Sequence, residues 1–412
     1  MCWSLCLAYC DSLLGLYIKG VLCPILEMYI DGNFVFFLFN IRDLPRVLEH
    51  QEFANMKAVI YTGDNKIVIE YRAKPVISEP TDAIVRVVHT TICGTDLHIL
   101  QGHVPSCTPG RIIGHEGVGI IETLGAAVTN LTVGQMVIIS CITSCGTCHY
   151  CRKKMPSQCE SGGWILGNKI DGTQAEYVRI PHAPFSLHPL PESIDQKVAV
   201  TLSDTVPTSY ECGILNGGIQ PGSTVAIIGT GPIGLMILQM ARNLFGPSMT
   251  TVVGRGAPRL ETAKSMGADH TFSMLDGHDA VMSSALAVTK ERGFDVVIEA
   301  VGTPESFETA QALVGAGGTI ASLGVFGESC ELHLEKLWNR NICLRTRLID
   351  AISTPDLLKM VEAGGIDPNF LVSHSFEFDD IHNAYEAFEA SSKHGALKVV
   401  VTMPGLSMNG SS

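Results

Sequence analysis

The chain has 412 residues, 46% of them apolar, and a formal net charge of −13. That length accommodates two or three domains with sizeable cores. The acidic balance, with no clustered Lys and Arg, excludes a nucleic-acid partner and points to a small molecule. Fourteen cysteines without a secretory signal favour a reducing compartment, where thiols stay free to bind metal, with the cytoplasm as default.

Residues 1–55 have a texture of their own, rich in Leu, Cys, Tyr and Phe (WSLCLAYC, FVFFLF). A membrane span needs about 18 or more consecutive apolar residues, and Asp11, Lys19, Glu27 and Asp31 interrupt this stretch. No transmembrane span is expected. A signal peptide would carry positive charge ahead of its apolar run, yet no Lys or Arg precedes Lys19. Met56 opens the strand-like MKAVIY, so the preferred reading makes it the functional start and residues 1–55 a dispensable leader. A membrane-surface anchor is the alternative.

From 56 to 206 the chain reads as a β-rich domain: KAVIY, AIVRVV, GVGIIETLG, MVIIS and AEYVRI are short strands separated by glycine-rich loops. Inside it, at about 141–160, lies a lobe holding Cys145, Cys148, Cys151 and Cys159 at spacings x2, x2 and x7. Thiolates so close in sequence can wrap one tetrahedral zinc ion, and four of them leave no open coordination position, so this zinc is structural. Two local disulfides are the competing reading.

From 207 to 350 strands alternate with helices: TVAIIG, a helix from about Pro232, TVVG, DVVIEA and TIASLG. That alternation predicts a doubly wound parallel sheet, a Rossmann fold in the α/β class. Gly229-Thr230-Gly231-Pro232-Ile233-Gly234 stands between the first apolar strand and an apolar helix. In that setting the glycines allow a tight turn, close approach of a pyrophosphate and close helix packing, with the anion at the helix N-terminus. The next strand ends in Gly254-Arg255 where an NAD site would carry a carboxylate. A guanidinium beside a glycine with room around it suits a 2′-phosphate, so NADP(H) is favoured over NAD(H); a solvated Arg255 with either cofactor is the alternative. Residues 351–404 return to helix and strand and are expected to pack on the first domain, and 405–412 form a disordered tail.

Cys93 in ICGTDLH, His115 in GHEGVG and Asp204 in LSDTVPTSYE, together with the four-cysteine lobe and the glycine motif, resemble the zinc-dependent medium-chain alcohol dehydrogenases (medium-chain dehydrogenase/reductase superfamily) from Met56 to Met403. The resemblance implies a GroES-like catalytic domain before the Rossmann domain. It implies a second, catalytic zinc on Cys93, His115 and Asp204, the aspartate being the ligand of the secondary-alcohol branch, with one position left for water or substrate. Glu116 would stand behind the metal or join it transiently. Zinc would lower the alcohol pKa, Thr95 and His98 would relay its proton through the cofactor ribose to solvent, and the nicotinamide would take the hydride. Residues around Thr95, Trp164 and Leu323 to Phe326 would line the pocket. Two zincs per chain, an alcohol or carbonyl substrate and a homo-oligomer, dimer or tetramer, complete the expectation. The alternatives are a polyol or sugar-alcohol dehydrogenase, which would prefer a glutamate ligand and an acidic NAD-selecting residue, and a non-catalytic dinucleotide sensor on the same fold.

Overall fold

The computed structural model describes residues 55–404 and, before them, only the backbone of four short strands. Those strands pair as two antiparallel ribbons, Tyr17–Ile18 with Val21–Leu22 and Ile25–Ile30 with Asn33–Leu38. Contacts divide the chain between Ala54 and Asn55. Apart from those strands, the expected leader lies outside the described residues, as does the expected disordered tail.

In the larger unit β1 (Asn55–Gly63) and β2 (Lys66–Ala73) form a hairpin. Its two-residue turn, Asp64-Asn65, has both φ values positive, the geometry that matches the twist of paired strands. A mainly antiparallel sheet follows, built from β3 (Ala83–Ile92), β4 (Gly117–Leu124), β5 (Met136–Ile139), β6 (Tyr177–Ile180) and β7 (Leu187–Pro189). All but one residue of β3 are buried, because it pairs with β4, with β6 and with a strand from the far end of the chain. Helix α1 (Gly94–Leu100) follows β3.

The second sheet is wholly parallel. Its strands β8 (Thr224–Ile228), β9 (Met249–Gly254), β10 (His270–Ser273), β11 (Phe294–Glu299), β12 (Val314–Ser322) and β13 (Cys343–Thr346) lie in the order β10-β9-β8-β11-β12-β13. Strands such as TVAII and DVVIE read as unbroken apolar runs because helices cover both faces. The strand order reverses between β8 and β11, where open α/β sheets bind their ligands. Helix α2 (Pro232–Met240) starts there.

After β13 the chain rejoins the first sheet through β14 (Val372–Glu377) and β15 (Lys398–Thr402), with Val399 opposite Ile92 and Val401 opposite Thr90. The buried Glu211 carboxylate anchors the crossing. It accepts the backbone N–H groups of Asp350, Ala351 and Ser353 and the Ser353 hydroxyl, at 2.7–3.2 Å. Asp350 then accepts both the N–H and the hydroxyl of Ser157 in the cysteine-rich lobe. Strands β2, β10, β13 and β14 were not legible in sequence. They are short or half-exposed edges such as HTFS, CLRT and VSHSFE, and carry little apolar signal.

Candidate active site

The four-cysteine lobe comes together as its spacing demands. Its four sulfurs lie within 4.8 Å of one another, with Cys145 Sγ 3.9 Å from Cys151 Sγ and Cys148 Sγ 4.0 Å from Cys159 Sγ. A zinc–sulfur bond of about 2.3 Å puts tetrahedral sulfurs about 3.8 Å apart, so one ion fits, while a disulfide would need them at about 2.0 Å. Backbone N–H groups of Cys145, Cys148 and Cys151 point at neighbouring sulfurs. Burial works against the Cys145 thiolate, but bonds from Thr147 and Cys148 outweigh it and lower the thiol to about 5. Burial and then Cys148 push Cys151 up to about 12. Four crowded sulfurs cannot all ionise unaided, and a divalent cation removes that conflict.

The second group gathers Cys93, His115, Glu116 and Asp204, from three distant segments, within 4.8 Å. Cys93 is the cap residue before α1, His115 and Glu116 lead into β4, and Asp204 precedes the short helix Thr205–Thr208. His115 Nε2 lies 3.3 Å from Asp204 Oδ2, which is 4.0 Å from Cys93 Sγ. His115 Nδ1 faces Asp96 Oδ1 at 3.6 Å, and among the described residues both buried atoms lack a hydrogen bond. A carboxylate behind the far nitrogen is how a metal-binding imidazole is oriented. Burial opposes a charge on His115, yet Asp204 and Asp96 hold it well above its ordinary range. Burial likewise opposes the Asp204 carboxylate, and the His115 ring outweighs it, taking Asp204 down to about 2. The pocket is built to hold positive charge, which fits a cation among these donors.

Glu116 is held back from that centre. Both its oxygens lie 2.6 Å from Lys398 Nζ, and Thr91 donates to one at 2.5 Å. Thr95 Oγ1 is 3.8 Å from Cys93 Sγ. His98 follows on the same face of α1, one turn on, and burial and then the neighbouring His103 lower it. Trp164 stands edge-on to His115, ring centroids 6.1 Å apart. It packs against the buried cluster of Cys141, Ile142, Cys212, Ile349 and Ala351, as does Leu323. Leu323 to Phe326 also border a wide cleft of about 910 Å³ with Leu348 and Ile352.

At the switch point a cavity of about 330 Å³ is lined by Gly229, Gly231, Gly254, Arg255, Thr303 and Glu305. Gly229 has φ +114°, and a Cβ on Gly234 would lie 2.0 Å from the Gly229 carbonyl oxygen. A Cβ on Gly231 would meet nothing, so there the backbone faces open space. Pro232 fills the first turn of α2, leaving Ile233 and Gly234 to present N–H groups to an anion. Gly254 departs from expectation. A Cβ there would sit 2.5–2.6 Å from the Thr230 side chain, so the room beside Arg255 is already filled by Thr230.

Residues 79–192 match the family model for the alcohol dehydrogenase GroES-like domain, and residues 232–363 match that for zinc-binding dehydrogenases. An alcohol dehydrogenase of Cupriavidus necator is 35% identical over 371 residues, covering 84% of this chain and 99% of that protein. The zinc-dependent alcohol dehydrogenase 2 structure from Streptococcus pneumonia is 45% identical with a TM-score of 0.81, covering 85% of this chain and 99% of that one. The chain belongs to the zinc-dependent medium-chain alcohol dehydrogenases. Two further similar structures are an alcohol dehydrogenase (rspB) of E. coli CFT073 with NADH (28% identity, TM-score 0.76) and a zinc-binding dehydrogenase of Sinorhizobium meliloti 1021 with NADP (29%, 0.73). Each covers 85% of this chain and 99% of that one.

This alcohol dehydrogenase thus couples a GroES-like domain and a parallel-sheet domain to a nicotinamide cofactor and zinc. Among the described residues no helix is long and apolar enough to cross a membrane. Three of its site residues escaped the sequence reading. Lys398 lies 282 residues from its partner Glu116, with nothing in ALKVVVTM to mark it beyond a charge opening an apolar strand. Asp96 carried a signal: three residues after Cys93, it accepts the Cys93 N–H at 2.9 Å as a helix cap does. Glu299, an acid ending an apolar strand, is buried and accepts the N–H groups of Gly302 and of Val301, which lines the cavity at the switch point.

Proposed function

We propose that the enzyme oxidises a secondary alcohol, or reduces the matching ketone, with NADP(H), holding one catalytic zinc on Cys93, His115 and Asp204 and one structural zinc on Cys145, Cys148, Cys151 and Cys159. The convergence of one thiol, one imidazole and two carboxylates from three distant segments carries this reading. Zinc so held supplies Lewis acidity that lowers the pKa of the alcohol hydroxyl. Thr95 Oγ1 accepts the alcohol proton and passes it toward His98, while Gly229, Gly231 and the first turn of α2 seat the pyrophosphate so that the nicotinamide can accept hydride. Arg255 supplies the charge for a 2′-phosphate.

The polyol reading would place Glu116 rather than Asp204 on the metal. Against it, Lys398 and Thr91 occupy both Glu116 oxygens, whereas among the described residues Asp204 Oδ2 meets no hydroxyl or ammonium donor and Oδ1 accepts from Thr208. Glu116 then balances Lys398 behind the metal and can reach it transiently. The same reading divides the chain into a catalytic domain (56–206), a cofactor domain (207–350) and a returning segment (351–404), in a cytoplasmic dimer or tetramer.

The test is steady-state oxidation of matched primary and secondary alcohols by the full chain, with NADP and NAD in parallel and zinc measured on the same sample. Turnover of secondary alcohols with NADP at two zincs per chain is the expected result. Zinc absent from Cys93→Ser and Asp204→Asn proteins alike, with the four-cysteine zinc kept, supports the ligand set; full zinc and full activity in Asp204→Asn refutes it.

A further inference from the structure

Helix α1 ends in a way that pairs two histidines. Its C-cap is Gln101, and Gly102 follows with φ +78°. The Gly102 N–H bonds to the Ile99 carbonyl and the His103 N–H to the His98 carbonyl at 2.9 Å. These two bonds define a Schellman ending, which folds the residue two beyond the cap back onto the third residue before it. That contact is commonly apolar, but in this chain it joins His98 to His103. Their Nδ1 atoms face each other at 3.2 Å, with ring centroids 5.5 Å apart. Two nitrogens at that distance share one proton, since only one can be the donor.

We infer that His103 is the outlet of the proton relay: it sets the tautomer of His98 and carries the alcohol proton to solvent. This rests on the reading of Thr95 and His98 as relay residues. With Nδ1–H on His98 donating to His103 Nδ1, His98 Nε2 has a lone pair free to accept. When Nε2 gains the alcohol proton, the Nδ1–H proton of His98 moves to His103 Nδ1, and the N–H of His103 Nε2 goes to water. One proton enters, one leaves, and both rings end neutral in the opposite tautomer. That second state carries a proton on His98 Nε2 and is the one carbonyl reduction needs. Burial disfavours the imidazolium of His98, and the neighbouring His103 disfavours it further, so a neutral shuttle suits the site better than a charged intermediate. His103 itself is exposed and reaches water.

Gly327, in the loop after β12, holds the outlet in place. A Cβ at 327 would stand 2.8 Å from His103 Nδ1 and 3.0 Å from its Cγ. Gly327→Ala therefore displaces the His103 ring from His98 at little cost in stability, since an exposed side chain can swing away.

The test compares the full-length, zinc-loaded enzyme with His98→Ala, His103→Ala, Gly327→Ala and the His98→Ala/His103→Ala double variant. His103→Ala and Gly327→Ala are expected to lower kcat for alcohol oxidation about tenfold, a fraction of what general acid–base groups supply, with KM and zinc content unchanged. Their pH–rate profiles should move, added imidazole should restore kcat in His103→Ala, and the double variant should be no slower than His98→Ala. Nitrogen-15 spectra of the histidines should show the Nδ1 signal of His98 changing tautomer when His103 is removed, with no turnover involved. If His98→Ala is impaired while His103→Ala and Gly327→Ala keep the wild-type rate, pH profile and nitrogen signal, the outlet is overturned and the relay stands. If His98→Ala is itself unimpaired, the relay falls and the outlet with it.

Discussion

Replacing Lys398 with Met isolates the charge that balances the metal pocket from behind. Lys398 and Glu116 are 2% and 0% exposed, and the ammonium reaches both carboxylate oxygens at 2.6 Å. Met keeps most of the stem volume, so a cavity contributes little. What remains is a buried carboxylate with Thr91 as its side-chain donor, near the acidic side chain of Asp204. Removing one partner of such a pair costs about 3–5 kcal/mol, whereas replacing both partners with neutral groups of similar size is close to neutral. Lys398→Met should therefore lose about 3–5 kcal/mol, a large share of the 5–15 kcal/mol typical of folded proteins. Lys398→Met/Glu116→Gln should recover to within about 1 kcal/mol of wild type. Urea unfolding of zinc-loaded protein, followed by circular dichroism, reads both changes. A Lys398→Met protein within about 1 kcal/mol of wild type, or a double variant no more stable than the single, refutes the argument.

Four other expectations follow from the structure. Arg255→Ala removes a charge-assisted contact of about 1.5–3 kcal/mol, so KM for NADP should rise roughly 10- to 100-fold while NAD kinetics stay put; equal changes for both cofactors would take Arg255 out of phosphate recognition. Gly254→Asp alone should weaken both cofactors because Thr230 occupies the space, with NAD preferred over NADP only when Thr230→Gly accompanies it. Cys148→Ser should lower zinc from two per chain to one and depress thermal stability while sparing turnover per folded enzyme; unchanged stability would remove the structural role. Burial, then Lys197, lowers His89 to about 4, and burial lowers His188 to about 4. Between about pH 6.5 and 4 the unfolded chain binds protons that the folded chain refuses, so stability is lost as the pH is lowered. From pH 7 to 5.5 each histidine should account for about 1 kcal/mol of that loss. A His89→Asn variant with the same pH slope as wild type in urea midpoints would contradict this.

Features that depend on neighbours in the chain were legible in the sequence. The Cys145–Cys159 cluster, the Gly229–Gly234 turn and the apolar strands of the parallel sheet each follow from spacing or periodicity within a few turns of chain. Cys93, His115 and Asp204 were legible for another reason, the family pattern around each one. What escaped were pairings across long separations. Lys398 meets Glu116 because β15 inserts beside β3, and no local pattern encodes which strand end will face a buried acid. Nothing in the glycine motif marks Thr230, yet it closes off Gly254 because β9 lies beside β8. Local backbone chemistry, set by steric limits and hydrogen-bond reach over a few residues, is determined by the sequence read alone. The charge balance behind the metal and the shape of the cofactor cavity were decided only by tertiary structure, because burial and Coulomb interaction depend on distance in space.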